Sequence, residues 1–260
     1  MPPPKQEGIK TMKTIKMKRG IRRGDPSRGF SLEILYPGLT FGEDDSGIGA
    51  IGRIDRARIH PGHTIAMHPH RDDEILTYVR VGSMFHKDTV GHREEIRPAR
   101  LMMMNAGHTF QHEETILGSE PQEALQIFLR PRAPSLDPRV QFHDFGEAES
   151  RDAWRLLSAP EGAPFEVRSQ AWVHDTRLTA GTTLALPNFP AHAPVRLLYV
   201  FSGEARVGGL TLQTAEGAFL ANDETSVEAR SDSDLVLVAT DSSAPVFKGG
   251  MFSGNVLVHA

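Results

Sequence analysis

The chain has 260 residues, 39% hydrophobic and 24% charged, a formal net charge of -4 and no cysteine. Such a size fits one large or two small domains, and the composition is neither disordered nor collagen-like. Disulfides, thiol catalysis and cysteine zinc sites are excluded, a broad basic face for nucleic acid is not indicated, and no apolar window approaches the ~20 residues of a membrane helix.

The opening Met1-Pro2-Pro3-Pro4-Lys5 lacks the apolar region of a secretion signal, so a cytoplasmic location is expected. Residues 10–23 carry seven basic side chains and no acidic one. A solvated edge strand kept soluble by its charges is expected there, ahead of a nucleic-acid arm. Beyond it, 24 glycines and 18 prolines punctuate short runs of Val, Ile, Leu, Thr and Phe, such as 75–79, 195–200 and 235–238. This is the pattern of an all-β sandwich or barrel. The best helical candidates are short turns over 147–154. Pro131, Pro134 and Pro138 interrupt the run 130–138, which cannot sit inside a sheet and reads as a linker. Tyr78-Val79-Arg80-Val81-Gly82 is echoed by Tyr199-Val200-Phe201-Ser202-Gly203, each a strand running into a turn. Two tandem β-barrels of similar design follow, with the division placed at 1–145 and 146–260.

Twelve histidines are the anomaly. His68 and His70 are two residues apart, so on a strand both point to one face. Pro69 between them suits a strand start or edge. His112 and Glu114 repeat this parity further along. Two matched pairs supply three imidazole nitrogens and one carboxylate, a set suited to a divalent transition metal with positions left open for substrate and dioxygen. His60 and His63 flank a Pro-Gly turn and are expected at the surface. His86 reads as structural or adjacent to the site, and His92 as part of a hairpin tip. His108, His143, His174, His192 and His259 stand alone. Glu74, four residues past His70, has the parity to be a carboxylate ligand, and spacing alone does not choose between it and Glu114.

The run from His68-Pro69-His70-Arg71-Asp72-Asp73-Glu74-Ile75-Leu76-Thr77-Tyr78 through Gly82-Ser83-Met84, His86-x-Asp88, Gly91 and Ala106-Gly107 to His112-x-Glu114 resembles the pirin family of the cupin superfamily. The chain departs from the family at His108-Thr109-Phe110-Gln111, where a small glycine-containing stretch is common. The resemblance implies an all-β bicupin of two cupin barrels, with residues 1–145 holding the metal and 146–260 holding none. It implies the ligands His68, His70, His112 and Glu114, and so favours Glu114 over Glu74. Iron is the first choice of metal, with nickel, manganese, copper or zinc as alternatives. It also implies quercetin 2,3-dioxygenase activity. In that reaction Glu114 takes the flavonol hydroxyl proton, and the heterocycle opens with loss of carbon monoxide. Met84, Met103, Phe110 and Phe128 are apolar candidates for the pocket wall. Small aromatic or enolic substrates and dioxygen are the expected partners of a monomer with no direct nucleic-acid or membrane binding. The alternative is a metal-dependent regulatory protein that binds a transcription factor or metabolic enzyme. Sliding Tyr199 onto Tyr78 sets Phe189 and Ala191 where His68 and His70 stand, and matching 219–220 to 103–104 sets Glu228 and Arg230 opposite His112 and Glu114. The second barrel is therefore expected to be empty.

Overall fold

In the computed structural model, which describes residues 13–17, 20–36 and 47–254, the apolar runs form strands and the glycine-rich punctuation forms the turns between them. The first domain has two sheets. The larger runs from edge to edge through Arg139–Asp144, Arg100–Asn105, Glu74–Val81, Gln122–Leu129, Ile51–Ile59, Phe30–Tyr36 and Ile21–Asp25. The smaller runs through Thr64–His70, Phe110–Leu117, Ser83–Asp88 and Arg93–Ile96. The second domain repeats the plan. Its larger sheet is Ile15–Lys16, Glu216–Leu220, Pro194–Ser202, Ser233–Asp241, Ala171–Leu178, Arg155–Ala159 and Phe165–Glu166; its smaller one is Thr183–Ala185, Ser226–Ala229, Glu204–Val207 and Leu210–Gln213.

The two large sheets lie against each other, which explains why Pro194–Ser202 and Ser233–Asp241 read as continuous apolar runs rather than alternating ones. Leu198, Val200, Leu235 and Leu237 face the interior of the second domain. Leu197, Tyr199, Phe201, Val236 and Val238 face the first domain and join its core. The repeated tyrosines are the pins of this interface. The Tyr78 hydroxyl donates to Asp175 at 3.0 Å, and Arg56 donates to the Tyr199 hydroxyl at 3.1 Å. The turns after them need glycine: Gly82 and Gly203 have φ of 68° and 92°, and a Cβ on Gly203 would lie 2.3 Å from the Asp232 carbonyl.

Both halves of the basic N-terminal segment lie on edges. Ile15–Lys16 adds to the second domain beside Glu216–Leu220, with Lys16 2.6 Å from Glu216. Ile21–Asp25 closes the first domain's large sheet. The described strands of this segment, Ile15–Lys16 and Ile21–Asp25, therefore contribute to different domains. The expected helical turns over 147–154 are absent: Arg151 instead bridges Arg177, Asp152 accepts from Thr179, and among the described residues the only helix is the three-residue 3-10 turn Pro26–Arg28. The proline-rich 130–138 run packs on the first domain, where Asp72 accepts from the Ser135 amide at 2.6 Å and Leu136 accepts from that of His108 at 2.8 Å. No described helix is long and apolar enough to cross a membrane.

His174, on Ala171–Leu178, packs edge-on against Phe189, and its Nδ1 is buried without a partner. Burial pushes its pKa down to about 4, with Asp175 opposing. In the unfolded chain the imidazole takes its proton near 6.5. Between these values the unfolded state binds more protons, so stability falls as pH drops from about 6.5 towards 4 and this contribution levels off below. The expected loss is ~2–3 kcal/mol. Urea melts at pH 7 and pH 4.5 should show His174→Leu losing less stability on acidification than the wild type; equal losses would remove His174 from the acid response.

Candidate metal centre

Clean alternation on Phe110–Leu117 buries Phe110, His112, Glu114 and Ile116 and leaves the residues between them partly exposed. Thr64–His70 runs antiparallel beside it, with His68 opposite His112 and Phe110 opposite His70. The pairing slips between His112 and Glu114, so that Glu114 faces Ile65. This bulge puts an extra residue on the Thr64–His70 strand. It turns Ile65 inward to the same cavity as His68 and His70.

The three imidazoles converge through one atom each. His112 Nε2 lies 3.0 Å from His70 Nε2 and 3.0 Å from His68 Nε2. His68 Nδ1 is 2.9 Å from the Ala66 carbonyl, which can only accept, so Nδ1 carries the proton and Nε2 presents a lone pair to the cluster. Burial holds His68 below its ordinary pKa. It holds His112 well below, with His70 and His68 adding to the effect. Imidazole lone pairs aimed at one another repel unless a proton or a cation lies among them, and one proton cannot serve all three Nε2 atoms. Two imidazole nitrogens held ~2.1 Å from one ion and about a right angle apart lie ~3.0 Å from each other. The donor set therefore fits a divalent transition metal.

Glu114 stands on the other side of the His112 ring. Its Oε1 is 3.7 Å from His112 Nδ1, and it groups with His112 and His86 rather than with all three imidazole Nε2 atoms. It is fully buried and Oε1 has no hydrogen-bond partner. Burial pushes its pKa up to about 7, opposed only by a hydrogen bond from the Gln126 side chain. Glu114 lines the cavity that His68 and His70 line, and His112 joins the two histidines through its Nε2 contacts.

Glu74 lies elsewhere. Arg168 of the second domain holds it at 2.8 Å through Nε, the Arg168 amide adds a bond at 3.0 Å, and Asn105 also donates to it. Burial raises its pKa against these partners. It is an interface anchor and joins neither histidine cluster.

His86 is more central than its place near a turn suggested. Ser83–Asp88 alternates so that Met84, His86 and Asp88 all point inward, and His86 sits directly opposite Glu114. Its Nδ1 is 3.4 Å from His112 Nδ1 and its Nε2 is 2.9 Å from Asp88. Asp88 also receives His92 Nδ1 and the His92 amide, each at 2.9 Å. The even spacing of 84, 86 and 88 was the signal available in the sequence. His63 stacks on Phe30, His143 packs on Phe145 and Phe165, and His60, His108 and His192 are exposed. His259 lies outside the described residues. Met84 and Phe128 line the cavity; Phe110 packs instead on His112 and His86, and Met103 lies in the core.

The second domain holds no comparable cluster among the described residues, although the positions matched from sequence were misaligned. The Gly181 amide donates to Ala229 as that of Gly62 donates to Ile116, and Leu184 faces Val227 as Ile65 faces Glu114. The counterparts of His112 and Glu114 are therefore Thr225 and Val227, not Glu228 and Arg230. Those of His68 and His70 are Pro187 and Phe189, not Phe189 and Ala191. Gly181 to Tyr199 is two residues longer than Gly62 to Tyr78, so counting back from the tyrosines overshoots.

Residues 40–129 match the family model described as Pirin. A Zymomonas mobilis protein provisionally named quercetin 2,3-dioxygenase is 30% identical over 205 residues, covering 77% of this chain and 86% of that one. Quercetin 2,3-dioxygenase of Escherichia coli is 26% identical over 197 residues, covering 74% and 82%. Among solved structures, YhhW from Escherichia coli superposes with a TM-score of 0.77 at 22% identity, over 90% of this chain and 98% of that one. A further structure of YhhW, there called a bacterial pirin, is a complex with nickel(II). The likeness establishes the fold as two cupin-like domains in one chain.

Proposed function

We propose, from the premise that this chain belongs to the pirin family, that it is a metal-dependent dioxygenase of small enolic or phenolic compounds, with flavonols such as quercetin among those it cleaves. The observation that carries this reading is the convergence of three imidazole Nε2 atoms on a chamber whose wall also holds a buried, unpartnered carboxylate. His68, His70 and His112 are the proposed ligands of one divalent ion, with Glu114 the proposed fourth once its side chain turns from the Nδ1 side of His112 towards the Nε2 atoms. Iron is the first choice, with nickel, manganese, copper or zinc able to occupy the same donor set. Residues 1–145, apart from the Ile15–Lys16 strand that joins the other sheet, are the proposed metal-bearing domain, and 146–260 the proposed domain without a metal. A divalent ion there supplies open coordination positions and electrophilic pull on an enolate oxygen.

The chain's own residues supply the rest. Glu114, with a pKa near neutrality, is the base that takes the substrate's enolic or phenolic proton. Its unpartnered Oε1 is the atom that accepts it. Met84, Ile65 and Phe128 keep the chamber apolar around the reacting ring, so the negative charge that passes from Glu114 to the substrate oxygen would be favoured only where a cation at the imidazoles balances it. For a flavonol, both atoms of dioxygen enter the product and one ring carbon leaves as carbon monoxide. Anaerobic loading of quercetin onto the metallated protein, followed by oxygen, should release carbon monoxide in step with flavonol loss. A folded, fully metallated protein that releases none with any of the five metals would overturn the dioxygenase reading.

A further inference from the structure

The chamber beside the histidines has a volume of about 210 Å3. Pockets for drug-sized ligands run from ~300 to ~1,000 Å3. A single ring therefore matches this space more closely than a three-ring flavonol, whose remaining rings would press on the chamber wall or extend past it. One wall comes from an unexpected source. Phe252, near the end of the described chain, lies 5.2 Å from the His70 ring and 5.4 Å from that of Phe128, with the Arg53 guanidinium 5.4 Å from its face. It lines the chamber with Arg53, Gln122 and Thr77.

The segment carrying Phe252 is fastened to the first domain, although it follows the last strand of the second. Asp73 accepts the Phe252 amide at 3.1 Å and the Ser253 amide at 2.8 Å. Arg130, fully buried, donates to the carbonyls of Ser253 and Gly254 at 2.9 and 3.1 Å. The Met251 amide reaches the Arg71 carbonyl at 3.0 Å. A Cβ on Gly52 would lie 2.4 Å from the Ser253 carbonyl, so the strand beneath is kept bare to let the segment lie flat. Phe252 is thus held as a fixed wall rather than draped on the surface.

The chamber also contains polar atoms with nothing to bind. Gln122 Nε2 and Thr77 Oγ1 are buried and have no hydrogen-bond partner. Buried polar atoms left without partners are costly. Both lie on the large sheet, whose Thr77, Gln122, Ala124 and Phe128 line the side of the chamber facing Glu114 and His68 of the small sheet. These atoms are covered as they stand, but both side chains belong to the chamber wall, and a turn of either would present its polar atom to a ligand whose reacting oxygen is at the histidines and whose ring carries a second oxygen on the far side.

We propose that Phe252 is the residue that sets ligand size, and that the substrate is a single-ring hydroxy-enone or phenol bearing a second oxygen function that meets Gln122 and Thr77. This rests on the dioxygenase reading for the reaction but not for the binding preference. The test uses the nickel-loaded full chain without oxygen, titrated with maltol as the single-ring probe and quercetin as the three-ring probe, and followed by the absorbance of the bound ligand. Phe252→Ala should tighten quercetin relative to maltol by at least ~10-fold, and Phe252→Trp should shift the ratio the other way. Gln122→Leu should weaken maltol, which carries a ring carbonyl beside its hydroxyl and a ring oxygen beyond. Metal content and melting temperature check that each variant is intact, and the two Phe252 variants bracket the wild type should one fold poorly. An unchanged ratio in intact Phe252 variants would overturn the size assignment even if flavonol were cleaved. A shifted ratio without carbon monoxide from any probe would uphold it and reject the dioxygenase. Failure of both probes to bind the metallated wild type would overturn both.

Discussion

His112→Ala is expected to release the metal. His112 is the hub of the cluster, with Nε2 3.0 Å from the Nε2 of both His68 and His70, so its loss removes one donor and the spacing of the other two. Changes to groups that merely surround a metal's ligands cost ~10–100-fold in affinity; removal of a ligand should exceed that and leave no stoichiometric metal after desalting, with His70→Ala behaving alike. Metal at ~100 times its dissociation constant stabilises a fold by ~2.7 kcal/mol. The wild type should therefore melt higher with added metal, and His112→Ala should not. Glu74→Gln is the contrasting variant. It weakens the bonds from Arg168 and Asn105 and should cost ~1–3 kcal/mol of stability while retaining a full metal equivalent. Elemental analysis of the three variants decides the matter. A full equivalent in His112→Ala, or its loss from Glu74→Gln alone, would move the ion away from the imidazole cluster.

The part of the site that could be read from sequence is the part governed by strand parity. His68 with His70 and His112 with Glu114 are each two apart, and period two survives folding wherever a strand stays regular. The duplication was legible as well, since Tyr78 and Tyr199 begin matching strand-to-turn segments, but their place in the domain interface was not. What escaped depends on long-range pairing. His86 enters the site because Ser83–Asp88 pairs on one side with the distant strand Phe110–Leu117 as well as on the other with its sequence neighbour Arg93–Ile96. Glu74 and Arg168 meet across the domain interface, and no local pattern links residues so far apart. The counterparts of His68 and His70 were displaced by two extra residues between Gly181 and Tyr199, and those of His112 and Glu114 by a span from Phe219 to Val227 three residues shorter than that from Met103 to Glu114, changes that alter register without disturbing either motif. Phe252 was invisible because its role is set by Asp73 and Arg130, which clasp the backbone around it rather than its side chain.

Glu114→Gln should separate binding from turnover. The amide has the shape of the carboxylate but cannot take a proton, and removal of a general base typically costs ~10²–10⁴ in rate. Three imidazoles remain to hold the ion, so anaerobic binding of the flavonol should weaken much less than turnover does. The pH profile supplies the independent check. Glu114 acts as a base only when ionised, so the rate should rise with pH through its pKa and then level off. In the metal-free fold burial sets that value at about 7. A nearby cation favours the charged form, so in the loaded protein the rise should fall below pH 7, and the acid limb should be absent from the residual activity of Glu114→Gln. Unfolding the site with His68→Ala would not mimic this, because binding and turnover would then fall together. A Glu114→Gln protein with wild-type turnover and an unchanged acid limb would assign the proton to another acceptor, and His86, directly opposite on the neighbouring strand and held neutral by burial, is the group the geometry would then point to.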